Sequence, residues 1–120
     1  DSGVFNACQE AAIAALTEGE IFCELLRSTY QRRRDILVPA LQAAGLDCQP
    51  PSSTFYVWCR LPAQKGWTSE SFVTELIKKK GIVATPGTAF GRAGEGFVRL
   101  TLCSDESVLK QVAEALRTSL

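Results

Sequence analysis

The sequence predicts an α+β fold, a small mixed sheet covered by helices, from two kinds of hydrophobic pattern. In three long stretches the apolar residues recur every three to four positions, and a fourth is rich in alanine, which together indicate four helices. In three short stretches, β-branched and aromatic residues alternate with other residues or stand between turn residues, which indicates strands. The predicted order is helix, helix, strand, helix, strand, strand, helix. With 120 residues, 46% of them hydrophobic, the chain is expected to form one compact domain.

The first two predicted helices occupy the amino-terminal third of the chain. Phe5 to Leu16 is rich in alanine, which has the highest helix propensity, and Ser2 is a possible cap before it. A longer helix is expected from about Glu20 to Ala44, because its apolar residues fall at helical spacing. Within it, the run Arg32-Arg33-Arg34 is interpreted as a solvated helix face rather than a nucleic-acid site, since the run is short and acidic residues lie nearby.

The central region predicts a strand and then a third helix. The strand is expected from Thr54 to Leu61, with Phe55 on the same face as three apolar residues and Tyr56 on the opposite face. A helix from Glu70 to Lys80 follows, capped by the hydroxyl of Thr68 or Ser69. Its three carboxyl-terminal lysines suit the helix dipole, so they need no ligand to explain them.

Two more strands and a last helix complete the predicted fold. The strands are expected at Ile82 to Thr85 and at Phe97 to Leu102, joined by a glycine-rich connection from Gly91 to Gly96. This connection is either a plain hairpin link or a mobile loop at the edge of a pocket. A helix capped by Ser104 is expected from Asp105 to about Ser119.

Composition excludes several classes of function. The 13 basic and 13 acidic residues balance, so no net field attracts nucleic acid or an anionic membrane. Five scattered cysteines without a CxxC pair, and the absence of histidine, argue against a zinc site and against a Cys-His or Ser-His catalytic pair. The odd number of cysteines indicates reduced thiols in a cytoplasmic protein, most of them expected to fill the core. The chain has no methionine, and it is interpreted as a piece excised from a longer protein.

Arg99 is the main candidate for a binding residue. It lies inside a predicted strand, where a charged side chain is unusual without a partner. Alternation places Arg99 beside Phe97 on the face opposite the aliphatic residues of this strand. A guanidinium fixed on a strand suits two-point recognition of a carboxylate or phosphate. The alternative is a structural ion pair with Glu95 or Glu75.

The same region carries a resemblance to a known family. Pro86-Gly87-Thr88-Ala89-Phe90-Gly91, followed by Gly94-Glu95-Gly96-Phe97-Val98-Arg99-Leu100, resembles the carboxyl-terminal signature of fold-type I, class I/II aminotransferases that depend on pyridoxal phosphate. From Ser2 onward the chain is similar to the small, carboxyl-terminal domain of those enzymes, so the resemblance covers nearly all of it.

The resemblance implies which residues touch substrate. Arg99 is at the position of the arginine that binds the α-carboxylate of the substrate. Phe55 matches an aromatic residue that borders the substrate pocket, although a core aromatic remains the other reading. Ser2 and Asn6 belong to a segment near the active site and the dimer contact, although a plain helix start is the simpler interpretation.

The resemblance also implies partners. The substrates are an amino acid and a 2-oxo acid, and the complete enzyme is a homodimer. Pyridoxal phosphate and the lysine that binds it belong to a large domain outside this chain. The chain is therefore expected to contain no catalytic, cofactor-binding or metal-binding residue and to be inactive alone.

Two alternatives stay open. The chain could be a non-enzymatic α+β module that binds a small molecule such as an amino acid or has a regulatory role. Other pyridoxal-phosphate reactions, such as decarboxylation or β-elimination, share this domain as well. Within the transaminases the sequence resembles the branch that acts on aspartate, aromatic amino acids or diaminopimelate, and it does not select among them.

Overall fold

The computed structural model describes residues 3–62 and 66–118, and it confirms the predicted fold class and order of elements. The helices and strands are α1 (Asn6–Glu18), α2 (Glu20–Ala43), β1 (Tyr56–Arg60), α3 (Ser69–Lys80), β2 (Thr85–Pro86), β3 (Phe97–Thr101) and α4 (Glu106–Leu116). None of the helices in these described ranges is long and apolar enough to cross a membrane.

The three strands form one sheet in the order β1-β3-β2. Both pairings are antiparallel, so the prediction of a mixed sheet is wrong. Its inner face carries Val57, Cys59, Val98 and Leu100, all buried, which pack with apolar residues of α2, α3 and α4. The predicted alternation of β3 is confirmed, because Arg99 lies on the opposite, outer face.

The strand predicted at Ile82 to Thr85 is mostly wrong. Gly81 ends α3 in the left-handed conformation, with a φ of 66°, and the N–H of Ile82 still donates to the carbonyl of Leu76. Ile82 is buried in the core, but its backbone belongs to the end of the helix rather than to the sheet. Pairing with β3 therefore begins only at Thr85.

The helix caps were predicted with mixed success. Thr68 caps α3, and its side chain and that of Ser71 form a reciprocal capping box, as one of the two expected alternatives. The last helix is preceded by Asp105 as its cap residue rather than by Ser104, and it begins one residue later than expected. It buries Leu109 and Leu116, whereas Val108 is 44% exposed.

The interpretation of the arginine run as a solvated face is wrong for Arg33, whose side chain is only 15% exposed, whereas Arg32 is exposed as expected. Arg33 donates from Nη1 to the carbonyls of Leu102 and Cys103, both at 3.2 Å, and from Nη2 to Asp105 at 3.2 Å. Arg32 donates to a carboxylate oxygen of Glu106 at 2.8 Å. These contacts connect α2 to the end of β3 and the start of α4.

The cysteines only partly follow the expectation that most of them fill the core. Cys48 and Cys59 are buried, and burial raises the pKa of both thiols. Cys8, Cys23 and Cys103 are exposed. Two of the exposed thiols lie on α1 and on the amino-terminal part of α2, which extend away from the core.

Candidate functional site at Arg99

Arg99 is held at the centre of the sheet. It is on the middle strand, β3, where it is paired with Trp58 on β1 and with Thr85 on β2. A strand with neighbours on both sides cannot shift its backbone without breaking two ladders of hydrogen bonds. The base of the Arg99 side chain therefore has a fixed position, and the side chain itself is half-buried on the outer face.

Two aromatic rings contact the Arg99 guanidinium. Its carbon atom lies over the ring of Tyr56, 3.9 Å from the centroid, and over the ring of Phe90, 4.4 Å from the centroid. Both distances are within the roughly 6 Å at which a cation is attracted to the face of an aromatic ring. The ring next to Arg99 was expected to be Phe97, and this is wrong.

Phe97 belongs to a neighbouring cluster on the same face. Its ring stacks on Trp58, with centroids 5.6 Å apart, and receives the guanidinium of Arg60 at 5.0 Å. Trp58 also meets the ring of Phe90 edge to face at 5.7 Å. The outer face is therefore a nearly continuous row of rings and guanidinium groups that runs along β1 and β3.

The two acidic residues considered as partners for Arg99 are engaged elsewhere. Glu95 accepts a hydrogen bond from the N–H of Ser69 at 2.9 Å. Glu75 pairs with Lys79 at 2.9 Å, and the hydrogen bond from that lysine lowers the pKa of Glu75. Within residues 3–62 and 66–118, the Arg99 side chain forms no ion pair and donates no hydrogen bond to another residue. Its donors remain available to a ligand.

Open clefts border Arg99 on two sides. On the side of β1, a shallow cleft of about 670 Å³ is lined by residues 47–52 and Thr54 and by outer-face side chains of β1 and β3, namely Tyr56, Trp58, Arg60, Phe97 and Arg99. On the side of β2, a smaller cleft of about 260 Å³ is lined by Arg99, Tyr56 and residues 83–85. Arg99 and Tyr56 are common to both clefts, so the guanidinium can be reached from solvent.

Between β2 and β3 the chain forms two short 3-10 turns, Gly87–Phe90 and Arg92–Gly94, and the second turn lies in the glycine-rich connection. The turns pack through bare backbone: a Cβ atom on Gly87 would lie 2.1 Å from the carbonyl oxygen of Gly94, and one on Gly94 would lie 2.0 Å from that of Gly87. Only glycine permits this approach. The mobility expected for this connection stays a prediction.

Ser69, the first residue of α3, fixes the connection to that helix. It is completely buried, and its hydroxyl oxygen accepts hydrogen bonds from the N–H groups of Gly96 at 2.9 Å and Phe97 at 3.2 Å. The same hydroxyl lies 3.3 Å from the carbonyl of Gly94, to which it donates. The start of α3 thus determines where the second turn ends and where β3 begins.

The other predicted site residues do not join Arg99 in its clefts. Phe55 is 40% exposed and lines a different cleft, between α2 and the segment 51–55. Its ring contacts that of Tyr56, with centroids 4.6 Å apart, and Tyr56 in turn contacts Arg99. Asn6 is the exposed first residue of α1 and lines none of these clefts. Ser2 lies outside the described residues.

Sequence reasoning missed Tyr56, Phe90 and Trp58. Alternation along β1 did place Tyr56 and Trp58 on the face opposite Val57, so their exposure was predictable. What was missing was the register, which brings this face of β1 beside Arg99. Phe90 had no signal beyond its position in the signature, because it lies in a turn and nine residues before Arg99.

Comparison with known proteins identifies the family. The family model for aminotransferase class I and II matches residues 3–116. The chain belongs to this family.

Individual relatives are similar over nearly all of this chain but only part of their own length. The LL-diaminopimelate aminotransferase of Nitratidesulfovibrio vulgaris (strain DP4) is 47% identical over 116 residues, which is 97% of this chain and 29% of that protein. LL-diaminopimelate aminotransferase 2 of Trichormus variabilis is 44% identical over 117 residues, which is 98% of this chain and 30% of that protein. The chain therefore spans less than a third of the length of these relatives.

Solved structures agree with this comparison. An aminotransferase from Staphylococcus aureus superposes with a TM-score of 0.84 and 34% identity, covering 98% of this chain and 31% of that chain. The aromatic aminotransferase from Pyrococcus horikoshii OT3 superposes with a TM-score of 0.81 and 32% identity, covering 91% of this chain and 30% of that chain.

Proposed function

We propose that this chain is the carboxyl-terminal small domain of a pyridoxal-phosphate-dependent aminotransferase, and that Arg99 binds the α-carboxylate of the amino acid and the 2-oxo acid. The observation that supports the proposal is the environment of the Arg99 side chain. Its guanidinium is half-buried, is fixed on the central strand, and has no carboxylate partner in the described part of the chain. Its donors also border open clefts.

The energetics of this arrangement favour an anionic ligand. Partial burial of a cation without a counter-ion is unfavourable, and the two neighbouring rings compensate for it only in part. A substrate carboxylate would supply the missing negative charge and would accept two parallel hydrogen bonds from the fork of the guanidinium. Such binding orients the substrate and does not itself break a bond. The role of Arg99 is therefore positioning of the substrate.

The cofactor is proposed to be held by the remainder of the complete protein. Pyridoxal phosphate reacts through a lysine amine, and no lysine of the described residues lines either cleft beside Arg99. The described lysines lie in the last turn of α3 and on α4. The residues present therefore fit a substrate-binding surface rather than a cofactor site, and the isolated chain is expected to be inactive.

The surface of α1 and of the amino-terminal part of α2 supports packing against further protein. α1 contains no buried residue, and large apolar side chains are exposed along this region. They are Val4, Phe5, Ile13, Leu16, Ile21, Phe22, Leu25 and Leu26. An apolar surface of this kind marks an interface in a stable protein. We assign it to the large domain of the same chain and to the second subunit of a homodimer.

The direct test replaces Arg99 in the complete enzyme. The assay uses a panel of amino acids with a 2-oxo acid acceptor, and it includes LL-diaminopimelate because the relatives described above carry that name. Arg99→Ala is expected to lower kcat/KM, with a loss of transition-state stabilisation of about 2–4 kcal/mol, since one partner of a charged hydrogen-bonded pair is lost. Arg99→Lys is expected to restore only part of the loss, because a lysine cannot form the fork.

The matched control is Arg60→Ala. Arg60 lines the same cleft on the side of β1 and also contacts an aromatic ring, but that ring is Phe97 rather than Tyr56 or Phe90. Wild-type kinetics for both Arg99 variants would show that Arg99 is structural and would remove the proposal. An equal loss for Arg60→Ala would point to a general effect of charge on this face.

A further inference from the structure

The two rings at Arg99 come from different elements and approach it from different sides. Tyr56 belongs to β1, and Phe90 ends the first 3-10 turn, which follows β2. The Phe90 ring also contacts Trp58, whereas the Tyr56 ring also contacts Phe55. Among the ring contacts of the described residues, Tyr56 and Phe90 do not touch each other, but both contact the Arg99 guanidinium.

This arrangement restricts how a ligand can reach Arg99. The N–H donors of a guanidinium lie in its plane and point outward from its edges. Tyr56 and Phe90 both lie against the guanidinium, so a ligand can reach its donors only from the sides that the two rings leave open. A planar carboxylate that lies in the guanidinium plane and offers two oxygens can pair with two of those donors.

The position of Phe90 is determined by the backbone around it. The turn that carries Phe90 begins at Gly87, which lies against the carbonyl of Gly94. The segment after Gly94 is held in turn by the buried hydroxyl of Ser69. A ring mounted on a turn with these contacts can hold a long, otherwise flexible arginine side chain in one orientation.

We infer that Phe90 and Tyr56 are positioning residues that hold the Arg99 guanidinium edge-on for a coplanar substrate carboxylate. The inference rests on the proposed role of Arg99 and adds the residues that give this arginine its orientation. Neither ring touches the reacting atoms in this role. Their removal therefore affects the binding of the carboxylate more than the chemical step.

The test uses the complete enzyme and two readouts. The first is KM and kcat for the amino acid of the panel with the highest kcat/KM. The second is the inhibition constant of the carboxylic acid with the same carbon skeleton but no amino group, which measures carboxylate binding without reaction. Phe90→Leu is expected to raise both KM and the inhibition constant about tenfold, with kcat changed less than about threefold. Phe90→Tyr retains a ring face and is expected to stay within about twofold of wild type.

The comparison variant is Phe97→Leu, which removes another ring of the cleft on the side of β1, one that contacts Trp58 and Arg60 instead of Arg99. It is expected to raise the inhibition constant less than about threefold, because it leaves both rings at the Arg99 guanidinium in place. A wild-type inhibition constant for Phe90→Leu would overturn the inference, and so would equal losses for Phe90→Leu and Phe97→Leu. Tyr56→Leu is a second variant with the same expected outcome and replaces Phe90→Leu if the latter does not fold.

The Arg99→Lys variant distinguishes the proposed role of Arg99 from the inferred role of the two rings. If Arg99→Lys and Phe90→Leu both leave the inhibition constant unchanged, the proposed role of Arg99 is wrong. If Arg99→Lys raises it and Phe90→Leu does not, Arg99 binds the carboxylate but needs no ring to orient it. Only the inference about Phe90 and Tyr56 is then lost.

Discussion

At the scale of single residues, the site depends on two glycines that have no chemical role. Gly87 and Gly94 bring two turns of backbone closer than any side chain would permit. The contact places Phe90, at the end of the first turn, against Arg99. A residue can thus be necessary for binding because it has no side chain.

This close packing predicts a large effect of one methyl group. Gly94→Ala is expected to destabilise the folded protein by about 1–3 kcal/mol, since its Cβ would meet a backbone oxygen that cannot move aside freely. The free energy of unfolding in urea measures the effect. Gly3→Ala is the control, because a Cβ at Gly3 meets nothing within 4 Å, and a change within about 0.5 kcal/mol is expected there. Equal stabilities for the two variants would contradict the close packing.

At the scale of elements, two arginines connect α2 to the start of α4, and they are expected to contribute unequally to stability. The Arg33 side chain is only 15% exposed and donates to two backbone carbonyls and to Asp105. The Arg32 side chain is 57% exposed and makes one ion pair, with Glu106. Buried hydrogen-bonding groups lose more when they are left without a partner than exposed ones do. Two adjacent residues of one type therefore contribute unequally.

The two arginines make a matched pair of mutations. Arg33→Ala is expected to cost about 1–3 kcal/mol, since it leaves the carbonyls of Leu102 and Cys103 without their donor. Arg32→Ala is expected to cost about 0–1 kcal/mol, as exposed ion pairs do. Urea unfolding of both variants provides the comparison. A loss for Arg32→Ala as large as that for Arg33→Ala would show that burial does not set the difference.

At the scale of the whole molecule, the chain is more extended than a compact domain of its length. Its radius of gyration is 17.7 Å, whereas a compact chain of this size has roughly 14 Å. The larger radius comes from α1 and the start of α2, which expose apolar side chains and contribute no buried residue to the core. A helix without buried residues has little to stabilise it in isolation.

This shape predicts unequal protection of backbone amides. In the isolated 120-residue chain, the amides of α1 are expected to exchange rapidly with solvent deuterium, while those of β3 and α3 exchange slowly. In the complete protein, α1 is expected to become protected, because the large domain and the second subunit would cover it. Hydrogen exchange followed by mass spectrometry measures both states. Equal exchange of α1 in the two samples would contradict the proposed interface.

The sequence predicted the elements well because their signals are local. Helical spacing identified three helices and alanine content the first one, and alternation separated Val98 from Arg99 on β3. The resemblance in the signature selected Arg99 as the binding residue. The misassigned strand at Ile82, the missed cap at Asp105 and the misjudged Arg33 have a common cause. Each depends on a neighbour or a backbone contact that a local pattern does not contain.

The sequence by itself determined the family, the order of helices and strands, and the presence of an arginine on the outer face of the sheet. Those features follow from periodicity and from a contiguous signature. Only the tertiary structure decided that Phe90 and Tyr56, rather than Phe97, contact Arg99, and that Glu95 and Glu75 do not pair with it. The physical reason is that strand register and turn packing bring together side chains from separate elements, and their distances are set by the fold as a whole.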